Sequence, residues 1–528
     1  MPGGALRGSV ADLRPYQETQ ASMTAPVTPT TLLGLLHDAP DGQTALIQPE
    51  PHIRLTYGDV RTQVRAVARA LAAAGVAAGD RVGMALPNGA ANVITFLAAS
   101  EAGTAAPLNP AYKEDEFRFY LEDTQARVLL LPPDGLDEAR KAAAALDIPV
   151  LTVHMDDQGT VSITGGRTLA TTAAPEAAPG NVALILHTSG STGRPKRVPL
   201  THTNLSISAR NVARHYQLSA TDVSLCVMPL FHVHGLVAST LATLATGGTV
   251  VVPVKFSPLS FWRIARDHGA TWYSAVPTIH QLLLARVTKG EPRPEGAAQL
   301  RFIRSCSASL APQVMHDLEE AFGAPVLEAY GMTEAAHQMS SNALPPGHRQ
   351  PGSVGHGTDV QISIMDGGGN HLKPHERGEV VIKGPNVTSG YENNAEANAT
   401  AFTDGWFRTG DQGFLDERGY LTLTGRLKEM INRGGEKISP REIDEVLLTH
   451  PRVAEAVAFG AAHPMWGEEV AAAVVVREPI TEAELLAFCK EKLSDFKRPK
   501  QIHIVETIPR TATGKIQRRI VAQAFSPS

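Results

Sequence analysis

Residues 182–205 read Val-Ala-Leu-Ile-Leu-His-Thr-Ser-Gly-Ser-Thr-Gly-Arg-Pro-Lys-Arg-Val-Pro-Leu-Thr-His-Thr-Asn-Leu. The apolar run from Val182 to Leu186 predicts a buried strand, and it breaks into hydroxyl and glycine residues from Thr188 to Gly193 before Lys196. Gly190 and Gly193 let the backbone turn so that successive N–H groups converge on an anion. Thr188, Ser189, Ser191 and Thr192 add hydroxyl donors and Lys196 adds positive charge, which together predict a phosphate cradle. The spacing is not that of the P-loop G-x-x-x-x-G-K-[ST], and Pro195 and Pro199 exclude a helix starting at the lysine. The plain alternative is a Gly/Ser surface turn.

The chain around this loop has 528 residues, enough for two or three domains and a large core. A formal net charge of -5 provides no basic footprint, so neither nucleic acid nor an anionic membrane is expected as a partner. The three cysteines, Cys226, Cys306 and Cys489, are odd in number and far apart, which suits a reducing compartment and argues against disulfides or a zinc site. No apolar run approaches the ~18 residues of a membrane span. Residues 1–30 lack a signal-peptide pattern and read as a loose tail in which Met23 is a second possible start. The last residues, Phe-Ser-Pro-Ser, are not a peroxisomal address, so cytoplasm is the expected location.

Before the loop, Ala-rich helical patterns such as Val60–Ala74 alternate with short apolar runs at Arg81–Ala85 and Val128–Leu131, which predicts α/β structure on a largely parallel sheet. Asp157–Pro179 reads as a surface connection. After the loop come a helix near Leu205–Tyr216 and strands at Val223–Pro229, Thr249–Pro253 and Trp272–Val276. From Val360 the pattern shifts to short strands at Gln361–Met365, Glu379–Lys383 and Leu421–Thr424, a β-rich subdomain. Helices at Pro440–Thr449 and Glu482–Leu493 with strands at Ala454–Phe459 and Val470–Val476 close the chain as an α+β unit.

Five further stretches hold polar residues that a bare scaffold does not need. Met228-Pro-Leu-Phe-His-Val-His-Gly235 reads as a strand end bearing His232 and His234. Ser305-Cys-Ser-Ala-Ser-Leu-Ala-Pro312 ends a strand in small residues, leaving room for a flat ligand. Glu328-Ala-Tyr-Gly-Met-Thr-Glu334 offers an aromatic face, a hydroxyl and a carboxylate, a set suited to a base, a phosphate and Mg²⁺. Asp411 with Arg426 could read ribose hydroxyls, and Pro509-Arg-Thr-Ala-Thr-Gly-Lys-Ile-Gln-Arg518 places Lys515 on a glycine-containing loop.

In this order the motifs resemble the adenylate-forming superfamily of acyl-CoA synthetases, adenylation domains and luciferases, over the whole chain from about residue 30. The resemblance implies a large N-terminal domain (31–427) of two α/β subdomains plus a β-rich one, followed by a small mobile α+β C-terminal domain (428–528). It also implies ATP, Mg²⁺ and coenzyme A, and two half-reactions through an acyl-AMP. Carried over residue by residue, Thr188 to Lys196 would hold the β- and γ-phosphates, Tyr330 would stack on adenine, and Thr333 would contact the α-phosphate. Glu334 would ligate Mg²⁺, Asp411 and Arg426 would bind ribose, and Lys515 would stabilise charge at the α-phosphorus. Lys428 would be the hinge, and Gly434 and Gly435 would line the pantetheine tunnel. Arg197 departs from the family, which usually has glycine after the loop lysine.

Within the superfamily, residues 231–236, 276–280, 301–312, 332–339 and 431–440 resemble oxalate–CoA ligases. Fatty-acyl enzymes need an apolar tunnel after Glu334, whereas here His337 and Gln338 follow, opposite Ser307 and Ser309. A second carboxylate would find donors there. His232, Ser307 and His337 are the expected substrate contacts, with His234 and Ser309 beside them, and His232 is grouped with Lys515, Thr333 and Glu334 as catalytic. His234, His280 and Arg304 read equally well as structural residues, Cys306 as a small core residue, and Arg518 with Arg519 as a solvated or CoA-facing charge pair. A ligase for medium-chain or aryl acids, an adenylating enzyme with another acceptor or an unusual acid such as nitrite, and a non-catalytic nucleotide sensor stay as alternatives. Monomer or weak homodimer is expected.

Overall fold

The α/β alternation is built as two large twisted sheets with helices between them, in a computed structural model that describes residues 30–165, 176–188, 195–287, 292–510 and 516–525. One sheet has seven strands in the order Val161–Thr164, Val150–Met155, Ala126–Leu131, Arg81–Met84, Thr104–Pro107, Val182–Thr188 and Lys196–Thr201. The other has nine, in the order His356–Gly357, His337–Ser341, Val326–Met332, Phe302–Ser305, Trp272–Ala275, Val223–Leu225, Thr249–Val251, Thr44–Gln48 and Ile53–Thr56. Both are parallel in the middle and close with antiparallel edge strands.

Helix Ala90–Ala102 touches strands of both sheets, and all its residues but Ala91 and Glu101 are buried. A helix apolar on every side is stable only when enclosed in this way. Helices Tyr57–Ala73 and His202–His215 start at capping boxes, in which Thr56 pairs with Asp59 and Thr201 with Asn204. The expected strand at Val182 is present, and Lys196 opens the next strand in antiparallel pairing with it, so the glycine-rich loop joins two strands of a hairpin.

Two strand readings are corrected. The supposed connection after Asp157 contains a strand, Val161–Thr164, paired antiparallel with Val150–Met155, where Asp156 Oδ1 accepts the Gln158 and Thr160 N–H groups at 2.9 and 2.8 Å to form the turn. Its four residues, Val-Ser-Ile-Thr, alternate apolar and polar, but so short a signal is masked by the Gly-, Thr- and Ala-rich run that follows it. The strand supposed to end at the histidines stops at Leu225, and His234 opens a wide-turned π-helix, His234–Leu241. Pro229 brings no N–H to a ladder, and a Cβ on Gly235 would stand 2.4 Å from the Pro229 carbonyl oxygen.

A third, antiparallel sheet holds Gln361–Met365, Gly378–Lys383, Phe402–Thr403, Trp406–Leu415 and Leu421–Arg426. After the short helical turn Leu427–Glu429, a fourth sheet gathers Ile431–Arg433, Glu436–Ile438, Val453–His463, Gly467–Val476 and Gln501–Ile504, with helices Pro440–Leu448, Glu482–Lys492 and Arg518–Phe525. This unit meets the preceding residues where Arg441 Nη1 donates to the Leu423 carbonyl at 2.8 Å and Arg510 Nη1 donates to Thr278 Oγ1 at 2.7 Å. Arg518 is not a solvated charge, because it is half-buried and paired with Asp444 at 2.8 Å.

Glu328 is fully buried in the strand Val326–Met332, its Oε1 accepts only the Leu310 N–H among the described residues, and burial pushes its carboxyl from 4.5 up to about 7, with Arg441 opposing. A folded-state pKa above the unfolded value means that stability is lost as pH rises from about 4.5 to about 7. Glu328→Gln cannot ionise and escapes that loss. Chemical denaturation at pH 5 and pH 8 should therefore show the variant gaining on the unmutated protein by up to about 3 kcal/mol at the higher pH.

Candidate active site

The strands Val223–Leu225, Trp272–Ala275, Phe302–Ser305 and Val326–Met332 run parallel, so their carboxyl ends deliver four segments to one edge of the nine-stranded sheet. These segments carry His232 and His234, Thr278 and His280, Ser307, and Thr333 and Glu334. Such an edge is the usual place for a ligand in α/β sheets. The fourth strand reverses at once: a helical turn, Thr333–Ala335, leads back into His337–Ser341, with Met332 and His337 paired. The reversal holds Ala336 at φ 51° and His337 at φ 117°, and a Cβ on Gly331 would lie 2.2 Å from the His337 carbonyl oxygen. Ser307, at φ 74°, is held in the left-handed region as well.

The first cluster forms around Arg304, which is 0% exposed. Its Nε donates to Tyr216 Oη at 3.0 Å and to Gln338 Oε1 at 3.1 Å, and Nη2 reaches the same Gln338 oxygen at 2.9 Å. Nη1 donates to Ser274 Oγ at 2.9 Å and faces His234 Nε2 at 3.4 Å, while Nη2 faces His337 Nδ1 at 3.4 Å. His234 Nε2 lies 2.6 Å from Ser274 Oγ and its Nδ1 lies 3.1 Å from Ser307 Oγ. The His234 and His337 rings meet edge to face at 5.1 Å. Thus Ser307, His234 and His337 come together as expected, and the half-buried His232 is joined to them through its Nδ1, which accepts the His234 N–H at 3.3 Å. Ser309 does not join them and is exposed.

A second cluster lies beyond the reversal. Glu334 is buried and accepts the Tyr391 hydroxyl at 2.9 Å, while Lys196 Nζ sits 4.4 Å above the Tyr391 ring. Burial raises the Glu334 pKa, and burial together with the charge of Lys428 lowers that of Lys196. Buried Thr333 stands next to Glu334. Tyr330 Oη donates to Asp411 Oδ2 at 2.5 Å, and Asp411 Oδ1 pairs with Arg426 Nε at 3.0 Å. Of the cradle, Thr188 and Lys196 face each other across the hairpin as paired residues, whereas Ser189, Gly190, Ser191, Thr192 and Gly193 lie outside the described residues, as does Lys515. Gly434 and Gly435 form the exposed turn of the hairpin Ile431–Ile438, at φ 60° and 96°.

Sequence reasoning missed Tyr391 and did not foresee what Arg197 does. Arg197 Nη1 donates to the Asp123 carbonyl at 2.5 Å and lies 3.4 Å from Glu392 Oε2, and its Nε is 3.5 Å from Asp123 Oδ2. Asp123 also meets His187 Nε2 at 2.9 Å, and Arg81 pairs with Glu392. The residue in place of the usual glycine therefore clamps the base of the loop to the segment carrying Tyr391.

The sequence pattern described as AMP-binding enzyme matches residues 37–392, and that described as AMP-binding enzyme C-terminal domain matches residues 442–515. The chain belongs to the AMP-binding enzyme family. It is 48% identical to an oxalate–CoA ligase of Arabidopsis thaliana over 94% of this chain and 98% of that one, and 43% identical to an oxalate–CoA ligase of Saccharomyces cerevisiae over 92% and 95%. Among solved structures, ATP-bound MatB from Rhodopseudomonas palustris aligns with a TM-score of 0.85 at 30% identity, over 94% of this chain and 98% of that one. The expectation drawn from the order of the motifs holds for family and fold.

Arg197→Gly leaves Asp123 and Glu392 without their shared cation. It should lower unfolding free energy by about 2 kcal/mol, read by chemical denaturation, instead of acting as a neutral return to the family residue.

Proposed function

We propose that the protein is an ATP-dependent ligase that joins oxalate, or a similarly small dicarboxylate, to coenzyme A through an acyl-AMP. The observation that carries this reading is the first cluster: donors around a buried guanidinium occupy the ground where an acyl chain would need apolar walls. The oxalate–CoA ligases of two organisms, alike over nearly their full length, support it. In the first half-reaction one carboxylate oxygen of the acid attacks the α-phosphorus of ATP and pyrophosphate leaves. In the second the thiol of coenzyme A attacks the acyl carbon and AMP leaves.

Residues of the second cluster serve the nucleotide in this reading. The cradle from Thr188 to Lys196 takes the β- and γ-phosphates, Tyr330 the adenine, Thr333 the α-phosphate, and Asp411 with Arg426 the ribose. Glu334 suits Mg²⁺, because its carboxylate is a hard oxygen donor buried at the strand end beside Lys196 of the cradle. Bound there, the metal supplies charge to the phosphate oxygens. Ser307 and His337 hold the second carboxylate of the acid, with His234 behind Ser307 and His232 beside the reacting end. Residues 31–427 form the large domain and 428–528 the small one, which turns about Lys428 to exchange the Lys515 loop for the Gly434–Gly435 hairpin. Cytoplasm and a monomer or weak homodimer complete the proposal.

A second reading has one observation in its favour. A cavity of about 350 Å³ lined by Leu86, Met228, Phe231, Val276 and Ile279 is apolar enough for a longer or aryl acid. Pyrophosphate release with oxalate, malonate, acetate, benzoate and octanoate separates the two. Oxalate should exceed acetate by up to ~10⁴-fold in kcat/KM, since buried donors left unpaired penalise the monoacid. A higher value for octanoate or benzoate moves the function to the second reading.

The two half-reactions are tested apart. Lys515→Ala should slow acyl-AMP formation by about 10²-fold or more and spare thioester formation from supplied acyl-AMP. Lys428→Pro should do the reverse, because a fixed φ holds the small domain in one orientation. Equal losses in both steps would remove the two-orientation scheme.

A further inference from the structure

Arg304 is the strongest charge in the acid cluster, and no step above employs it. It sits inside the strand Phe302–Ser305, next to Ser274 of the neighbouring strand, and is fully buried. Its hydrogen-bond partners include Tyr216, Ser274, Gln338, His234, His337 and the Cys306 thiol, and none of these is a carboxylate. A buried cation without a counter-ion is expensive, and the expense falls when an anion binds beside it.

The proton positions follow from what each group can do. A guanidinium only donates. His234 Nε2 and His337 Nδ1 face its N–H groups, so both carry lone pairs there, and their protons sit on His234 Nδ1 and His337 Nε2. Ser274 fits the same scheme, since its oxygen accepts from Arg304 at 2.9 Å while its hydroxyl donates to His234 Nε2 at 2.6 Å. His234 Nδ1–H then donates to Ser307 Oγ at 3.1 Å, which turns the Ser307 hydroxyl proton outward as a donor. Gln338 Oε1, taking two bonds from Arg304 and one from Tyr216, holds the guanidinium plane in place.

We propose that Arg304 is the specificity-determining positioning residue of the acid site: it sets the tautomers of His234 and His337 so that donors face the second carboxylate, and it supplies that carboxylate's counter-charge. The proposal rests on the dicarboxylate reading. Arg304 acts through the histidines and Ser307 on the part of the acid that does not react, so its removal penalises a dianion more than a monoanion of the same size.

The test compares the full chain with Arg304→Gln and Arg304→Lys, measuring pyrophosphate release with oxalate and with glyoxylate. Arg304→Gln should lower kcat/KM for oxalate by about 10²-fold or more. The loss on glyoxylate should be at least about tenfold smaller, with the KM for ATP kept within about twofold, and Arg304→Lys should fall between the two because it restores charge without the fork. Equal losses on both acids, or an unchanged oxalate value, overturn the proposal. If Arg304→Gln does not fold, ¹⁵N-histidine spectra of the unmutated protein decide: protons on His234 Nδ1 and His337 Nε2 support it, and the opposite tautomers overturn it. That spectrum is also independent of the oxalate reading, which fails separately if the unmutated protein prefers octanoate.

Discussion

The tight reversal between Met332 and His337 is the constraint on which both clusters depend. A parallel strand arrives with Tyr330, and within a few residues the chain returns antiparallel beside it. No room exists for a loop, so Ala336 and His337 take positive φ and the strand can approach only because Gly331 has no side chain. Thr333 and Glu334 are thereby held at the strand's end, and His337 and Gln338 are drawn back alongside it. The proposed nucleotide and acid sites are separated by one turn of backbone.

Electrostatics divides the space on either side of that turn. Towards the cradle, burial holds the Glu334 carboxyl above its usual range, with Lys196 nearby and the Tyr391 hydroxyl donating to it. Towards the acid, Arg304 is a cation raised on the strand that neighbours the reversal, steadied by neutral oxygens and facing two imidazoles. One side holds a buried carboxylate that would suit a metal ion, and the other a buried cation with no carboxylate among its hydrogen-bond partners. Buried charges of this kind cost stability in the empty protein, and their occupants recover it. In the proposed reaction an acid with two negative charges suits this arrangement, because one carboxylate is consumed and the other would stay beside Arg304.

What was legible in the sequence follows from how local each signal is. The loop before Lys196, the Tyr330–Glu334 segment, the Asp411 and Arg426 pair and the glycine hairpin are runs of a few residues whose chemistry shows in order and spacing. Of the strands around them, those beginning at Val182 and Leu421 were legible from their apolar residues, whereas Lys196–Thr201, Val326–Met332 and His337–Ser341 were not, because polar and glycine residues interrupt them. Arg304 was not, since its partners come from Tyr216, His234, Ser274, His337 and Gln338, which are far apart in the chain and meet only when four strands align. Ser309 was placed beside Ser307 on sequence proximity, yet past a residue at φ 74° the backbone turns away and leaves it exposed.

Arg197 shows the same limit from the other side. Compared with a family pattern it looks like a defect beside the loop lysine, and a glycine there would give the loop freedom. In place it joins Asp123 on one helix to Glu392 on the segment behind Tyr391, while the Glu392 N–H returns to the Arg197 carbonyl at 3.0 Å. Freedom is exchanged for a fixed base, and Lys196 and Tyr391 are held against each other across it. Lys196 thus stands on an anchored strand, and Tyr391, under its ammonium and hydrogen-bonded to Glu334, fixes the distance between the cation and the carboxylate.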